Sequence, residues 1–232
     1  MSKIPKIIWQ THEWDYASLP EMYLKTSNTW RLFNQDWEYK YVSGKERKEQ
    51  VAEEFPEFID LYNQYHKLND LIEKNLAMGI KQNSLLPGMA QADLWRFLVL
   101  HKYGGVYADM DSICIGSLDE MLRVYSDKEL VVANPIPWGN DAHSIVYLNN
   151  LDHNTKPQWH INTANFATTK NNKVLSIIVE KLRTVTYNVD IHRFFSICAE
   201  HPDITAYDFR WAVHSDEFKH DGHVYKFYNR ES

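Results

Sequence analysis

Residues 90–111 have the sequence AQADLWRFLVLHKYGGVYADMD. This segment determines the fold that we predict from the sequence. The segment Ala90–Tyr103 contains only good or tolerable helix formers, with Pro-Gly shortly before it and Gly-Gly directly after it, which is the usual punctuation of a helix. Residues 106–108 are short, apolar and preceded by the glycine pair, so they predict a buried strand. The stretch therefore predicts a helix, a tight turn and a strand.

Charged side chains are concentrated around this turn. Asp93 and Arg96 lie three residues apart on the predicted helix and share a face. Asp109 and Asp111 follow the predicted strand, and in an extended segment alternate side chains point in the same direction. We therefore expect the two carboxylates to face one point at the carboxyl end of the strand.

Two carboxylates at this spacing suit a hard divalent cation. Mg²⁺ or Mn²⁺ is often held by one or two carboxylates, with water and phosphate oxygens completing its coordination. A calcium loop fits poorly, because Ile113 and Cys114 stand where that loop needs an oxygen ligand and a glycine. Most Asp-x-Asp pairs are solvated turns, but the apolar strand that runs into this pair favours a metal site.

The segment as a whole resembles the signature of the glycosyltransferases with a DXD sugar-binding motif, which includes S-D-x-x-R-x-x-x-L-x-x-x-G-G-x-Y-x-D-x-D. That family includes Och1-like mannosyltransferases, capsular-polysaccharide transferases and, more distantly, the clostridial glucosylating toxins. The chain departs from the family at Ala92, where a serine is usual. The residues that carry the match are Ala90, Asp93, Arg96, Leu100, Gly104, Gly105, Tyr107, Asp109 and Asp111.

The resemblance implies a GT-A-type fold, a nucleotide-sugar donor, Mn²⁺ or Mg²⁺ as cofactor, and retaining transfer. It implies that Asp109 and Asp111 meet the metal and that Asp93 and Arg96 bind the sugar hydroxyls. We assign catalysis to Arg96, Asp109 and Asp111, and Asp109 also belongs to the substrate site. An ordinary ion pair on a helix is the alternative explanation for Asp93 and Arg96.

Residues 4–12, IPKIIWQTH, are similar to the family's opening, commonly I-P-K-I-I-H-Q-T-W. Their apolar start predicts a strand over Lys3–Ile8, followed by Trp9 and Gln10 at its carboxyl end, where ligands bind in open α/β sheets. In the toxin branch a tryptophan at this place stacks on uracil, so the resemblance implies that Trp9 is the base platform. A core aromatic at a strand end is an equal alternative.

Two later segments supply further site residues by resemblance. Residues 158–168 are similar to a family strand whose asparagine borders the sugar, and Asn165 is favoured over Asn162. An asparagine that turns the backbone at a strand end is at least as common. Family members often end in H-x-x-x-G-S-W, and His223 resembles that histidine, although its spacing is longer and no terminal tryptophan follows. We predict His223 as the third metal ligand.

The chain predicts a single α/β domain over residues 1–232. Its 232 residues suffice for one full core, and hydrophobic and charged contents of 44% and 24% are ordinary. We expect a GT-A-type, mostly parallel central sheet flanked by helices, with a helical insertion over residues 45–86. The charged start of that insertion, residues 45–54, predicts a solvated helix face.

Charge and cysteine content restrict the partners and the compartment. The net charge of −6 disfavours nucleic acid as a partner. Cys114 and Cys198 lie in apolar contexts and predict reduced core residues. No apolar run is long enough to span a membrane and no signal peptide is evident. We therefore expect a protein of the cytoplasm, including a host's cytoplasm, or of a membrane periphery.

The predicted function is the metal-dependent retaining transfer of a hexose from a nucleotide-diphosphate sugar to a glycan, lipid-linked or protein acceptor. A UDP-sugar is favoured, with GDP-mannose as the other donor. Nucleotidyltransferases also combine glycines with Asp-x-Asp, but three residues between Gly105 and Asp109 leave no room for their intervening helix. A glycosidase needs its carboxylates on opposite sides of a sugar. A non-catalytic carbohydrate-binding module remains as an alternative, against which the intact charged set argues.

Overall fold

The structure is a computed structural model that describes residues 2–65, 88–132, 136–137, 159–160, 163–184, 205–207, 212–214, 219–220 and 223–224. The helices are α1 (Glu21–Phe33), α2 (Gly44–Glu54), α3 (Met89–Tyr103), α4 (Leu118–Val124) and α5 (Lys173–Thr184). Short 3₁₀ turns cover Tyr16–Ser18 and Pro56–Phe58, and residues 59–65 are helical.

The strands are β1 (Ile7–His12), β2 (Glu38–Ser43), β3 (Gly105–Ala108), β4 (Ser112–Cys114), β5 (Leu130–Val132), β6 (Ile136–Pro137), β7 (Trp159–His160), β8 (Asn165–Thr168), β9 (Thr205–Tyr207), β10 (Ala212–His214), β11 (Lys219–His220) and β12 (His223–Val224).

Six strands form the central sheet in the order β2-β1-β3-β8-β5-β9. Strand β1 is parallel to both β2 and β3, and β5 is parallel to β9, whereas β8 runs antiparallel to β3 and β5. The predicted α/β class with a mostly parallel central sheet is confirmed. Because β1 has β2 on one side and β3 on the other, the strand order reverses between β1 and β3. Open α/β sheets bind ligands at the carboxyl ends of strands that meet at such a point.

Helices cover both faces of the sheet. Trp9 and Tyr107 point into one apolar cluster, which α3 and α5 complete with residues such as Leu98. Their chain neighbours Ile8 and Val106 point into the opposite cluster, which contains side chains of α1 and α4. Alternation along each strand thus supplies two cores, and both faces can be apolar because neither faces solvent.

The glycine pair makes the tight connection from α3 to β3. Gly104 and Gly105 have φ values of 68° and 106°, a region that L side chains rarely adopt. A Cβ on Gly105 would lie 2.5 Å from the carbonyl oxygen of Ile7 in the neighbouring strand. The predicted helix and strand are confirmed here, and the pair lets the helix end directly against the sheet.

Strand β1 differs from its prediction. It was expected over Lys3–Ile8 but runs over Ile7–His12, because the Ile7 amide donates to the Pro5 carbonyl oxygen (2.8 Å) in a turn before the strand starts. Pairing with β2 then continues as far as His12. Trp9 and Gln10 therefore lie within the strand, and the ligand-facing end of β1 lies at His12.

Part of the predicted helical insertion is described, and it consists of α2, the 3₁₀ turn Pro56–Phe58 and the helical residues 59–65, with Phe55 outside any helix. Residues 66–87 lie outside the described ranges. The expectation of a solvated face over residues 45–54 is wrong for Arg47, whose side chain is 1% exposed. Cys114 is a buried free thiol, whereas Cys198 lies outside the described residues. Among the described helices, none combines the length and apolar content needed to cross a membrane.

Candidate active site

The two acidic residues lie on a turn between β3 and β4 rather than on a continued strand. The expectation that extended geometry aligns them is therefore wrong. The Ser112 amide donates to the Asp109 carbonyl oxygen (3.0 Å), and the Thr26 hydroxyl of α1 donates to the Met110 carbonyl oxygen (2.5 Å). The Met110 side chain is buried against α1 in a cluster with Tyr23, which anchors the turn to that helix. The turn nevertheless keeps Asp111 close enough to perturb Asp109 electrostatically.

Arg96 is the centre of the site. Its side chain is 7% exposed and its Nη2 lies 2.6 Å from Asp93 Oδ1 and 3.3 Å from Asp109 Oδ1. Its Nη1 donates to the Thr163 carbonyl oxygen at 2.7 Å. Burial alone would lower the pKa of Arg96, but Tyr107 and the carboxylates outweigh burial and hold it above its usual value. Arg96 is therefore a permanent cation that joins α3 to the carboxyl end of β3.

Tyr107 is a site residue to which the sequence assigned no role. The Arg96 guanidinium lies 4.3 Å from the centroid of its ring, and its hydroxyl donates to Asp109 Oδ1 at 2.7 Å. The ring is 1% exposed, and burial raises the pKa of this phenol well above its usual value, so the hydroxyl stays a donor. Tyr107 lies on β3 and Asp109 follows two residues later, directly after the strand, and this spacing is the sequence signal that could have identified the pair.

The negative charge around Asp109, from Asp93 and Asp111, exceeds the positive charge of the neighbouring Arg96. Burial raises the pKa of this carboxyl to about 6, the Arg96 guanidinium opposes the rise, and Asp111 adds to it. The side chain still keeps 31% of its surface exposed, so the carboxyl faces the surface rather than the core. The pKa of Asp109 therefore lies well above the ordinary value of an aspartate.

Gln10 supports the same turn from β1. Its side chain is fully buried, its amide donates to the Asp109 carbonyl oxygen (3.1 Å), and its own carbonyl accepts from the Tyr39 hydroxyl (2.7 Å). Gln10 thus holds the backbone that carries the carboxylates. Its predicted substrate role stays a prediction.

Trp9 lies in the core beneath α3. Its ring is 2% exposed, packs edge-on against Trp95 at 6.0 Å, and donates through Nε1 to the Gly104 carbonyl oxygen (3.0 Å). A base platform needs an exposed ring face, and this conformation offers none at Trp9. The burial agrees with the alternative of a core aromatic.

Asn165 lies at the start of β8, directly opposite Ala108 in the register of β3. It is 8% exposed, and its Oδ1 is buried without a hydrogen-bond partner among the described residues. Buried acceptors are nearly always satisfied, so this oxygen is available to a ligand donor. Asn162, the other candidate, lies outside the described residues.

His223 lies on the two-residue strand β12, which pairs with Lys219–His220. Nothing in the described geometry relates it to the acidic pair, so its metal role stays a prediction. In the part of the chain that the structure describes, no three or more His, Cys, Asp or Glu side chains are arranged to hold a metal ion. Two carboxylates remain sufficient for Mg²⁺ or Mn²⁺ when phosphate and water supply the other ligands.

Tyr23 of α1 borders the site on the side of Asp111. Its pKa is raised by burial and then by the negative charge of Asp111, which places the two groups within electrostatic reach. The Tyr23 ring lies 4.7 Å from the ring of His12 at the end of β1. Sequence reasoning missed Tyr23, because a residue so distant along the chain gives no local signal.

The helix α3 and the acidic turn lie in a part of the chain that is similar to known proteins. Residues 20–129, which contain Asp93, Arg96 and the acidic pair, match the family model described as a glycosyltransferase sugar-binding region containing a DXD motif. Inositol phosphoceramide mannosyltransferase 3 of Schizosaccharomyces pombe is 29% identical over 120 residues, which are 52% of this chain and 28% of that protein. The initiation-specific alpha-1,6-mannosyltransferase of Candida albicans is 29% identical over 130 residues, 55% of this chain and 29% of that protein.

The chain therefore matches less than a third of the length of these two curated relatives. Among solved structures, the match to the PaToxG glycosyltransferase covers 84% of this chain and 68% of that chain, with 19% identity and a TM-score of 0.45. The predicted resemblance is confirmed by the family match and the relatives. Over residues 20–129 this chain is similar to the glycosyltransferase sugar-binding regions that contain a DXD motif.

Proposed function

We propose that this protein is a metal-dependent retaining glycosyltransferase that moves a hexose from a nucleotide-diphosphate sugar to a hydroxyl acceptor. One observation carries the proposal. The buried guanidinium of Arg96 forms ion pairs with Asp93 and Asp109 at the carboxyl end of β3, and the nearby charge of Asp111 acts on it as well. A cluster with excess negative charge at a ligand-binding position needs a cation to bind a diphosphate.

The residues present fit Mn²⁺ or Mg²⁺. Asp109 Oδ1 accepts from the Tyr107 hydroxyl and lies 3.3 Å from Arg96 Nη2, and we assign its other oxygen and the Asp111 carboxylate to the cation. His223 is retained in this proposal as the third protein ligand. When bound, the cation neutralises the negative charge that develops on the departing diphosphate. The hard oxygen ligands favour Mg²⁺ or Mn²⁺ over softer metals.

The protein's own groups bind and orient the donor. Arg96 is fixed by the Thr163 carbonyl oxygen and by Asp93, so it presents its charge in one orientation. We assign Arg96, Asp93 and Asn165 to the hydroxyls of the transferred sugar. Tyr107 and Gln10 hold Asp109 and its backbone in place. No side chain is identified as a nucleophile, and retention of configuration rests on the family resemblance.

Two observations bear on which nucleotide sugar is the donor: the activities named for the similar proteins and the burial of Trp9. The names of the curated relatives specify mannose transfer, which supports GDP-mannose. The preference for a UDP-sugar depended on base stacking by Trp9, which is buried here. We therefore place GDP-mannose and UDP-hexoses side by side as donors. Glycan, lipid-linked and protein hydroxyls remain the acceptor classes.

A thermal-shift panel with UDP and GDP, each with Mn²⁺ or with EDTA, tests the proposal. A ligand that binds only the folded state at a hundredfold excess over its Kd stabilises that state by about 2.7 kcal/mol. We expect one nucleotide to raise Tm only when Mn²⁺ is present, and that nucleotide identifies the donor base. If neither nucleotide shifts Tm under any condition, the proposal fails and the carbohydrate-binding alternative takes its place.

A further inference from the structure

Side chains of helix α1 form hydrogen bonds with the backbone of the acidic turn between β3 and β4. The Thr26 hydroxyl donates to the Met110 carbonyl oxygen (2.5 Å), and Trp30 Nε1 donates to the Ser112 carbonyl oxygen (2.8 Å). Thr26 and Trp30 are four residues apart and therefore lie on one face of the helix. This face of α1 thus holds the carbonyl groups on either side of Asp111 along the chain.

Met110, the residue between Asp109 and Asp111, is fixed through its side chain as well as through its carbonyl group. The Met110 side chain is buried in one apolar cluster with Leu19 and Tyr23, and Tyr23 belongs to the same helix. A residue that is held at both groups leaves the backbone of a short turn little freedom to rotate. Helix α1 therefore determines the directions in which the two neighbouring acidic side chains leave the turn.

The Thr26 hydroxyl has a single proton and a choice of three carbonyl oxygens. Those of Met22 and Tyr23 lie 3.3 and 2.9 Å away within α1, whereas that of Met110 lies 2.5 Å away. Carbonyl groups inside a helix already accept from the amides one turn later, and a buried carbonyl group in a turn needs a donor from elsewhere. The hydroxyl proton therefore serves the Met110 carbonyl group.

A cation that two carboxylates share depends on how those carboxylates are oriented. Mg²⁺ requires a nearly ideal octahedral arrangement of its ligands, and groups that orient metal ligands typically contribute ten- to hundredfold to metal affinity. Gln10 of β1 holds the Asp109 carbonyl group (3.1 Å), and Thr26 of α1 holds the next carbonyl group along the chain. Consecutive peptide groups of the turn are thus held from two different elements of the fold.

We propose that Thr26 is a positioning residue for the cation, because its hydroxyl fixes the Met110 peptide group and with it the relative orientation of the Asp109 and Asp111 carboxylates. This inference rests on the proposed function, since it takes these carboxylates as the metal ligands. Thr26 supplies no ligand of its own and acts through the backbone of the turn. It places a residue of α1, far from the acidic motif along the chain, in the machinery of the metal site.

Thr29 of the same helix offers a matched control. Its hydroxyl accepts from the Cys114 amide of β4 at 2.9 Å, three residues after Asp111. Thr26→Val and Thr29→Val each remove one hydrogen bond between α1 and the β3–β4 segment, so we expect each to lower Tm in EDTA by about 3 °C. The two variants thus lose similar stability, but Thr26→Val alone frees the peptide group between the two carboxylates.

Calorimetric titration with the Mn²⁺ complexes of UDP and GDP tests the inference on the full chain. For the nucleotide that the wild type binds, we expect Thr26→Val to weaken binding roughly tenfold and Thr29→Val to leave it unchanged. Thr26→Ser should restore the affinity, because serine keeps the hydroxyl. Thr26→Ala also removes the hydroxyl and should show the same loss, and it replaces Thr26→Val in the comparison if the valine variant does not fold.

Each other outcome contradicts the inference. Wild-type affinity in the variants that lack the Thr26 hydroxyl overturns it, and so does an equal loss in Thr29→Val, which would reflect a general loosening of α1. A loss that Thr26→Ser does not restore assigns the effect to the threonine methyl group and overturns it as well. A wild type that binds neither complex contradicts the proposed function itself, and the inference about Thr26 falls with it.

Discussion

Two buried arginines lie near the carboxyl end of β1 and differ in the charges around them. Arg47 faces one carboxylate, Glu13, and completes its hydrogen bonds with the hydroxyls of Thr11 and Tyr62. Arg96 faces Asp93 and Asp109 directly and feels Asp111 as well. The cluster of Arg47 and Glu13, which we call the matched cluster, has one cation and one carboxylate. The cluster of Arg96, Asp93, Asp109 and Asp111, which we call the unmatched cluster, has one cation and three carboxylates. The comparison teaches that a matched cluster supports the fold, whereas an unmatched one marks the place where a ligand supplies the missing charge.

The largest effect should come from removing a carboxylate of the unmatched cluster. Asp111→Ala removes a proposed metal ligand, so we expect Mn²⁺-dependent transfer to fall roughly a hundredfold or more while Tm changes little. Assays of transfer and nucleotide binding check this, with Asp127→Ala as the control because that side chain is 71% exposed. Full activity in Asp111→Ala would contradict the assignment.

Removing the guanidinium from the unmatched cluster should cost stability in a pH-dependent way. Arg96→Met leaves three neighbouring carboxylates without their cation, and we expect a loss of about 3 kcal/mol at pH 7.5. Since Arg96 lowers the raised pKa of Asp109, its removal raises that pKa further. The folded state then binds protons more tightly than the unfolded state, so stability rises as the pH falls. Urea unfolding at pH 7.5 and 5.0 should show a smaller loss at pH 5.0.

The same change in the matched cluster should cost stability without that pH dependence. Arg47→Met breaks one buried ion pair and two hydrogen bonds, and we expect a loss of about 2 kcal/mol. Glu13 keeps 39% of its side chain exposed, so water can solvate the carboxylate that remains. Urea unfolding at the same two pH values should give equal losses. A loss that disappears at pH 5.0 would mean that the two clusters do not differ as described.

Binding of the cation should compete with protons for Asp109. Its pKa is raised to about 6, chiefly by burial, so the carboxyl is mostly ionised at pH 7.5 and mostly protonated at pH 5. We expect Mn²⁺ with nucleotide to bind roughly tenfold more weakly at pH 5 than at pH 7.5, and binding to release a proton near pH 6. Calorimetry in buffers of different ionisation enthalpy measures that proton. Affinity that is constant between these pH values would remove Asp109 from the metal site.

The two clusters also differ in how much of each could be predicted from the sequence. The charges on α3 and after β3 could be predicted, because they follow one another within twenty residues and the glycine turn fixes their relation. Arg47 could not, because its burial depends on Tyr62 and on the loop after β1, and its own helix is rich in charge. Tyr23 and Thr26 meet the acidic turn only through the packing of α1. Local periodicity predicts elements, whereas charge partners at long separation depend on tertiary structure.

The smallest effect we predict is a gain in stability. In Asp109→Asn the carboxyl with the raised pKa is replaced by an amide that still accepts from Tyr107, so the cost of ionising Asp109 in the folded state disappears. This free-energy cost is absent below pH 4, which is about the pKa of aspartate in the unfolded state. It grows between pH 4 and pH 6 and has reached its full size at pH 7.5. We expect the variant to be about 1 kcal/mol more stable than the wild type at pH 7.5 in EDTA, and equal to it at pH 4. Urea unfolding measures both differences, and Asp127→Asn, an exposed carboxyl, should show neither. If the substitution stabilises the fold and abolishes metal-dependent activity, Asp109 serves function at the expense of stability. A loss of stability in Asp109→Asn at pH 7.5 would instead show that Asp109 supports the fold, as Glu13 does in the matched cluster.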